Sequence, residues 1–250
     1  MTMSVSAAAI ETGRLARANP LAKILACFVL GFGAVLSGDP VTPAVILGGA
    51  IVALGIGGVD PLVVLRHGWP ILISAAGLGA TTVLFGDSDE PLLTALSVTV
   101  RVLAVALPGV AVILTIDPTD LADSLVQHAR MPARFAYASL AALRLLPLLA
   151  LEWRTITAAR RARGVDSGGN PLARARLFTS VTFTLLVGAV RRGTRLAMAM
   201  DARGFDSSGP RTIARPQHYR PSDTAILLGA VVIVGAAIAA STALGTYRFF

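Results

Sequence analysis

Five apolar runs, each about as long as a bilayer crossing, constrain this chain more than any other feature. A helix needs roughly 17–25 mostly apolar residues to cross the hydrocarbon layer. Four runs lie in the first half, at 21–38, 41–58, 69–86 and 91–116, and a fifth, the cleanest, lies at 224–246. Inside hydrocarbon every backbone N–H and C=O must be paired, and runs this long and continuously apolar do so as helices. The predicted fold is therefore an all-α integral membrane protein. Composition agrees, with 54% hydrophobic and 14% charged residues where soluble domains carry about a quarter charged. The net charge is +8, and Lys23 is the only lysine, so nearly all the base is arginine. Basic excess alone would suit nucleic acid, but runs this apolar do not stay in water, and a membrane surface or an acidic partner fits the charge instead. The run at 21–38 follows a polar stretch and has no small-x-small cleavage site after it, which marks an anchor that stays in place.

The connecting charges set the expected orientation. Arg14, Arg17 and Lys23 stand before or at the start of the first run, and Arg66 and His67 lie between the second and third. Asp39 lies between the first and second, and Asp87, Asp89 and Glu90 between the third and fourth, with no base in either connection. Residues 117–223 then hold sixteen arginines against eight acids. The pattern puts the N-terminus and 117–223 in the cytoplasm and the C-terminus outside, with Arg248 the one dissenter. The chain thus divides into an N-terminal membrane domain (1–116), a basic helical region (117–223), and a last span with a short outer tail (224–250).

The basic region contains two further apolar runs, 135–151 and 177–190. The first is interrupted by Arg144 and Pro147 and the second is short, so both are expected as interfacial or buried helices, with a spanning or re-entrant pair as the alternative. Asp117-Pro118-Thr119-Asp120 reads as a helix start and Met131-Pro132 as a break.

Within this region one small ending occurs twice. "ARRARGVDSGGNP" from Ala159 and "AMDARGFDSSGPR" from Ala199 share Ala162-Arg163-Gly164 with Ala202-Arg203-Gly204, then Asp166-Ser167 with Asp206-Ser207, then Gly169 with Gly209. Trp153, Ile156 and Ala159 precede the first copy at helical spacing, and Val190, Gly193, Ala197 and Met200 precede the second. Gly164 and Gly204 fall where a helix stops, because glycine accepts the left-handed turn just past a cap. Each arginine then crowns a helix tip, where its charge suits the dipole. A single Ala-Arg-Gly would mean little, and arginines under a membrane also meet anionic lipid heads. Two copies look like one device used twice. A planar five-donor head on a tapered tip suits a carboxylate-lined groove, and two tips imply two equal grooves.

"TIDPTDLADSL…MPARFAYASLAALRLLPLLALEWRTITAARRARG" and "RLAMAMDARGFDSSGPRT" resemble the T component of energy-coupling factor transporters, the ABC-type importers of vitamins and of metal ions such as cobalt and nickel. Asn19-Pro20-Leu21-Ala22-Lys23 resembles that family's opening Asp-Pro-x-x-Lys, with Asn in place of Asp. The resemblance covers roughly 18–246. It implies a subunit that joins two cytoplasmic ATPases to a separate substrate-binding membrane subunit, the S component, through cytoplasmic coupling helices. It implies ATPase docking by Ala162, Arg163 and Gly164 and by Ala202, Arg203 and Gly204.

The chain's own chemistry is sparse. A P-loop needs Gly-Lys-Ser/Thr, but Lys23 stands between Ala22 and Ile24, so energy must come from a partner. His67, His128 and His218 form no metal spacing and Cys27 is alone, so neither a cofactor nor a metal is expected, and the chain is not read as an enzyme. Arg101, inside a span, requires a partner: a contact with another subunit, or a backbone carbonyl or snorkelling position. Glu152 and Arg154 could form an exposed pair. Gly48, Gly49, Gly57, Gly58, Gly77 and Gly79 would permit close helix packing, or equally form a smooth face on which a neighbouring subunit moves. The competing readings are a self-sufficient channel or secondary carrier, and an intramembrane enzyme, which would need acids, His or Ser clustered at one depth.

Overall fold

The computed structural model describes residues 13, 15, 17–86, 90–165, 169–205 and 212–246. Every described element is a helix: α1 (Pro20–Leu36), α2 (Val41–Ile56), α3 (Pro61–His67), α4 (Trp69–Phe85), α5 (Pro91–Thr115), α6 (Pro118–Gln127), α7 (Ala133–Ala162), α8 (Pro171–Ala202) and α9 (Pro221–Ala243). Four of them start on one local device, Asn or Asp followed by Pro. The side chains of Asn19, Asp60 and Asn170 accept from the backbone N–H two residues on, at 3.0, 2.9 and 2.9 Å. Asp117 does the same for Thr119 at 2.6 Å. The proline fills the first helical position, where its missing donor costs nothing. Each such cap is worth about 0.5–2 kcal/mol.

The chain separates into two compact units. The first comprises residues up to Gln127 together with Gln217 onward, and the second is 128–216. The second is therefore an insertion in the first. Both residues flanking it meet: the Gln217 N–H donates to Gln127 Oε1 at 2.8 Å, and Gln217 Nε2 donates to Asp120 Oδ1 at 3.2 Å. Helix α6 and the approach to α9 thus belong with the membrane helices, although the sequence groups them with the basic region.

In the first unit α1 and α2 pack on each other and on both α5 and α9, with α4 beside α5. The core is built from small residues: Ala26, Ala34, Ala50, Ala104, Ala230 and Ala237 around Leu30 and Ile46. Two glycines let α9 approach closely. A Cβ on Gly33 would lie 2.8 Å from Val234, and one on Gly49 would lie 2.8 Å from Ile233. Gly79 takes the Thr99 side chain in the same way, while Gly48 and Gly77 face open space. Chains in lipid associate by this kind of close fit, since lipid tails are as apolar as leucine.

Of the runs read as spans, α5 and α9 are long and apolar enough to cross a membrane; α7 and α8, expected as interfacial or buried helices with a spanning pair as the alternative, meet the same length and composition. Helices α2 and α3 meet at 117° and together form a fifth candidate. Helices α1 and α4 have 17 residues each, about 25 Å of rise. The chain is a multi-pass membrane protein. Pro147 does not interrupt α7, which runs 30 residues through it. A proline removes one donor from a ladder that the residues on either side still supply.

Candidate functional site

In the second unit α7 and α8 form an antiparallel pair. Trp153 meets Phe178 with ring centroids 5.2 Å apart, Arg160 donates to Ser180 O and Thr184 Oγ1 at 3.3 Å each, and Tyr137 meets Phe205 at 6.2 Å. Midway, Arg192 donates to Glu152 in an ion pair of two partly exposed side chains. Glu152 pairs across the two helices, not along its own helix with Arg154. The reason is reach: residues two apart on a helix point to different faces.

The two repeated endings are the same structure. At the first, Gly164 N donates to Arg161 O at 2.9 Å and Val165 N to Arg160 O at 3.0 Å. At the second, Gly204 N donates to Asp201 O at 2.9 Å and Phe205 N to Met200 O at 3.0 Å. These are Schellman closures, and they demand a left-handed residue just past the cap. Gly164 and Gly204 supply it with φ of 74° and 72°. Arg163 and Arg203 occupy the matching C-cap positions, with φ of −90° and −91°. Both arginines are exposed, as are Ala162, Gly164, Ala202 and Gly204. Neither guanidinium has a hydrogen bond or ion pair among the described residues. The trailing Asp166-Ser167, Asp206-Ser207 and Gly209 lie outside the described residues.

The repeat extends into the packing. Glu152 lies eleven residues before Arg163, and Arg192 lies eleven before Arg203. The ion pair therefore joins equivalent positions of the two copies and sits at the centre of an approximate twofold. On antiparallel helices the two tips fall at opposite ends of the pair, on the order of 30 Å apart at 1.5 Å per residue. The sequence showed the 40-residue offset at the tips, and the same offset marks Glu152 and Arg192.

The first unit is fastened at both poles by polar contacts. At one pole Asn19 N donates to Asp223 Oδ1 at 2.9 Å, Ser124 Oγ donates to Asn19 Oδ1 at 2.7 Å, and Arg220 N donates to Asp223 Oδ2 at 2.7 Å. Lys23 Nζ donates to Thr115 O at 2.9 Å. Asn19 thus caps α1 and holds α6 at once, with its side-chain oxygen accepting both bonds. At the other pole Arg101 donates to Ser37 O at 2.6 Å and to Asp39 O at 3.4 Å, past the C-terminal end of α1, where the dipole favours a cation. Asp39 Oδ2 accepts from Thr42 N at 2.7 Å, Thr42 Oγ1 at 2.9 Å and Ser241 Oγ at 2.7 Å. Burial pushes the Asp39 carboxyl up, but these bonds more than offset it and hold the group below its usual range. Among the described residues no three of His, Cys, Asp and Glu gather where a metal could bind.

The family of cobalt transport proteins, CbiQ, matches residues 13–213. The chain is 33% identical over 177 residues to the energy-coupling factor transporter transmembrane protein EcfT of Leuconostoc gelidum subsp. gasicomitatum, covering 66% of this chain and 63% of that one. It is 34% identical over 148 residues to the protein of that name from Limosilactobacillus fermentum, covering 56% and 55%. The Bacillus subtilis protein is 30% identical over 128 residues, 48% of each chain. The chain spans less than two thirds of the length of these curated relatives.

Proposed function

The chain belongs to the CbiQ family of energy-coupling factor transmembrane components, and from that premise we propose that it couples two cytoplasmic ATPases to a substrate-binding S component for uptake of a vitamin or metal ion. One observation carries the reading: two matched Schellman ends, each presenting an exposed arginine, lie at equal distances either side of the Glu152–Arg192 pair. Two equal tips at opposite ends of one helix pair suit two equal grooves on a dimeric engine. Arg163 and Arg203 are the docking groups, and the small residues Ala162, Gly164, Ala202 and Gly204 leave each guanidinium room to enter. The planar fork meets carboxylates with two parallel bonds. The connecting charges support a cytoplasmic N-terminus, cytoplasmic tips and an outer C-terminus. The carbonyl pairing of Arg101 supports a fastening role for it, in place of a contact with another subunit. The S component selects the cargo, and this chain performs no catalysis and holds no cofactor.

The test is co-purification and uptake. Arg163→Ala and Arg203→Ala each weaken ATPase binding about 30-fold, the cost of a buried anchor of roughly 2 kcal/mol. The double variant inserts normally and loses uptake. Lysine at both positions restores charge but only part of the binding, because the fork is gone. Normal uptake by the double alanine variant rejects the docking role. Flux through the purified chain without any ATPase would favour a self-sufficient channel or carrier.

A further inference from the structure

A cavity of about 390 Å3 opens within the first unit between α1, α2, α5 and α9. It is a space left by small residues. Ala50 and Gly229 sit on its wall, and Pro108 lies where α5 passes it. Ile56 and Ser222 are exposed and mark its mouth. Its wall is apolar apart from Lys23, Cys27 and Ser222. Lys23 and Ser222 lie at the Asn19–Asp223 pole.

Length and charge identify the occupant. The wall runs along α9 from Ser222 to Ile233, eleven residues or about 16 Å at 1.5 Å per residue, against about 15 Å for half of a 30 Å hydrocarbon core. The cavity therefore has the depth of one leaflet. Two exposed arginines lie two residues in sequence from residues of the wall, Arg17 from Leu15 and Arg220 from Ser222. Arg220 is the N-cap residue of α9, and Arg17 lies two residues before Asn19, whose N–H is bonded to Asp223. Lys23 is buried on the cavity wall and its ammonium donates to Thr115 O. The two exposed arginines supply the positive charge that faces outward. Basic groups at headgroup level attract anionic lipid.

We propose that this cavity holds one acyl chain of an anionic phospholipid from the adjacent leaflet, with the headgroup over Arg17 and Arg220. The lipid fills a gap that the alanine-rich packing leaves and ties α1, α2, α5 and α9 together without a protein partner. This site is separate from the helix tips and stands or falls independently of the docking reading.

Cys27 lines the cavity and is the chain's one cysteine, so a thiol reagent reports on this space without any mutation. The purified full chain is titrated with phosphatidylglycerol or with phosphatidylethanolamine in detergent. Native mass spectrometry counts retained lipid, and maleimide labelling follows Cys27. The expected result is one retained phosphatidylglycerol, favoured about tenfold over phosphatidylethanolamine, with Cys27 labelling slowed by a similar factor. A Cβ on Gly229 meets nothing within 4 Å, so Gly229→Phe plugs the space with little strain. It abolishes lipid retention and leaves Cys27 slow to label whatever lipid is present. Equal retention of both lipids, retention by a folded Gly229→Phe, or unprotected Cys27 in the native chain overturns the proposal. If Gly229→Phe fails to fold, protection of native Cys27 decides alone.

Discussion

The two units handle their apolar surface in opposite ways. In the membrane unit, alanines and glycines bring four helices close, and hydrogen bonds fasten the bundle at both poles, from Asn19–Asp223 at one to Arg101–Ser37 at the other. In the inserted unit, two helices of 30 and 32 residues meet at the Trp153–Phe178 contact, at Arg160 and at one ion pair. Their buried residues are Ala136, Leu140 and Val181. Leu146, Leu151, Phe183 and Val190 are among the large apolar side chains left exposed there, each more than half accessible. An apolar face on that scale marks contact with lipid or with another protein. The first unit is built to keep its shape by itself. The second leaves its apolar faces open.

The sharpest way to break this contrast is Asp223→Ala. The carboxylate is fully buried and accepts from two backbone donors on different segments. Losing it strands both, at about 1–3 kcal/mol each, and the melting temperature of the whole membrane unit falls accordingly. A smaller loss follows Gly49→Leu, which drives α2 off α9 at Ile233 and costs about 1–3 kcal/mol by overpacking. Thermal melts in detergent check both. Acid gives a third, weaker test. The folded Asp39 carboxyl titrates below its unfolded value of about 3.9. Its contribution is thus present above that value and is lost as pH falls through the lower folded value. Melts between about pH 6 and 3 show extra acid destabilisation that Asp39→Asn lacks. The smallest effect on stability is Glu152→Ala. A partly exposed pair contributes no more than about 1 kcal/mol, so the melt barely moves, while uptake per ATP hydrolysed falls. If Glu152→Ala unfolds the chain as Asp223→Ala does, the contrast between the units is wrong.

What the sequence disclosed depended on range. Helix endings are local, so Gly164 and Gly204 announced themselves, and so did the start at Asp117. Hydropathy located the long apolar helices because their solvent dictates it. The bond from Asn19 to Asp223 joins residues 204 apart, and no spacing rule reaches that far. Asn19 looked like a departure from a family pattern; its amide oxygen in fact accepts from both Leu21 and Ser124. Pro147 suggested a break, because a pattern does not reveal how well the turns on either side hold. Glu152 and Arg192 were hidden for a different reason. Each is unremarkable alone, and only the 40-residue offset of the tips links them.

The hydrogen bond between Gln127 and Gln217 has a consequence for how this molecule can be rebuilt. A segment whose two ends emerge side by side behaves as a removable cassette. A short turn from Gln127 to Gln217 should close the remaining bundle without stretching it, and a homologous hairpin could be joined at the same two glutamines.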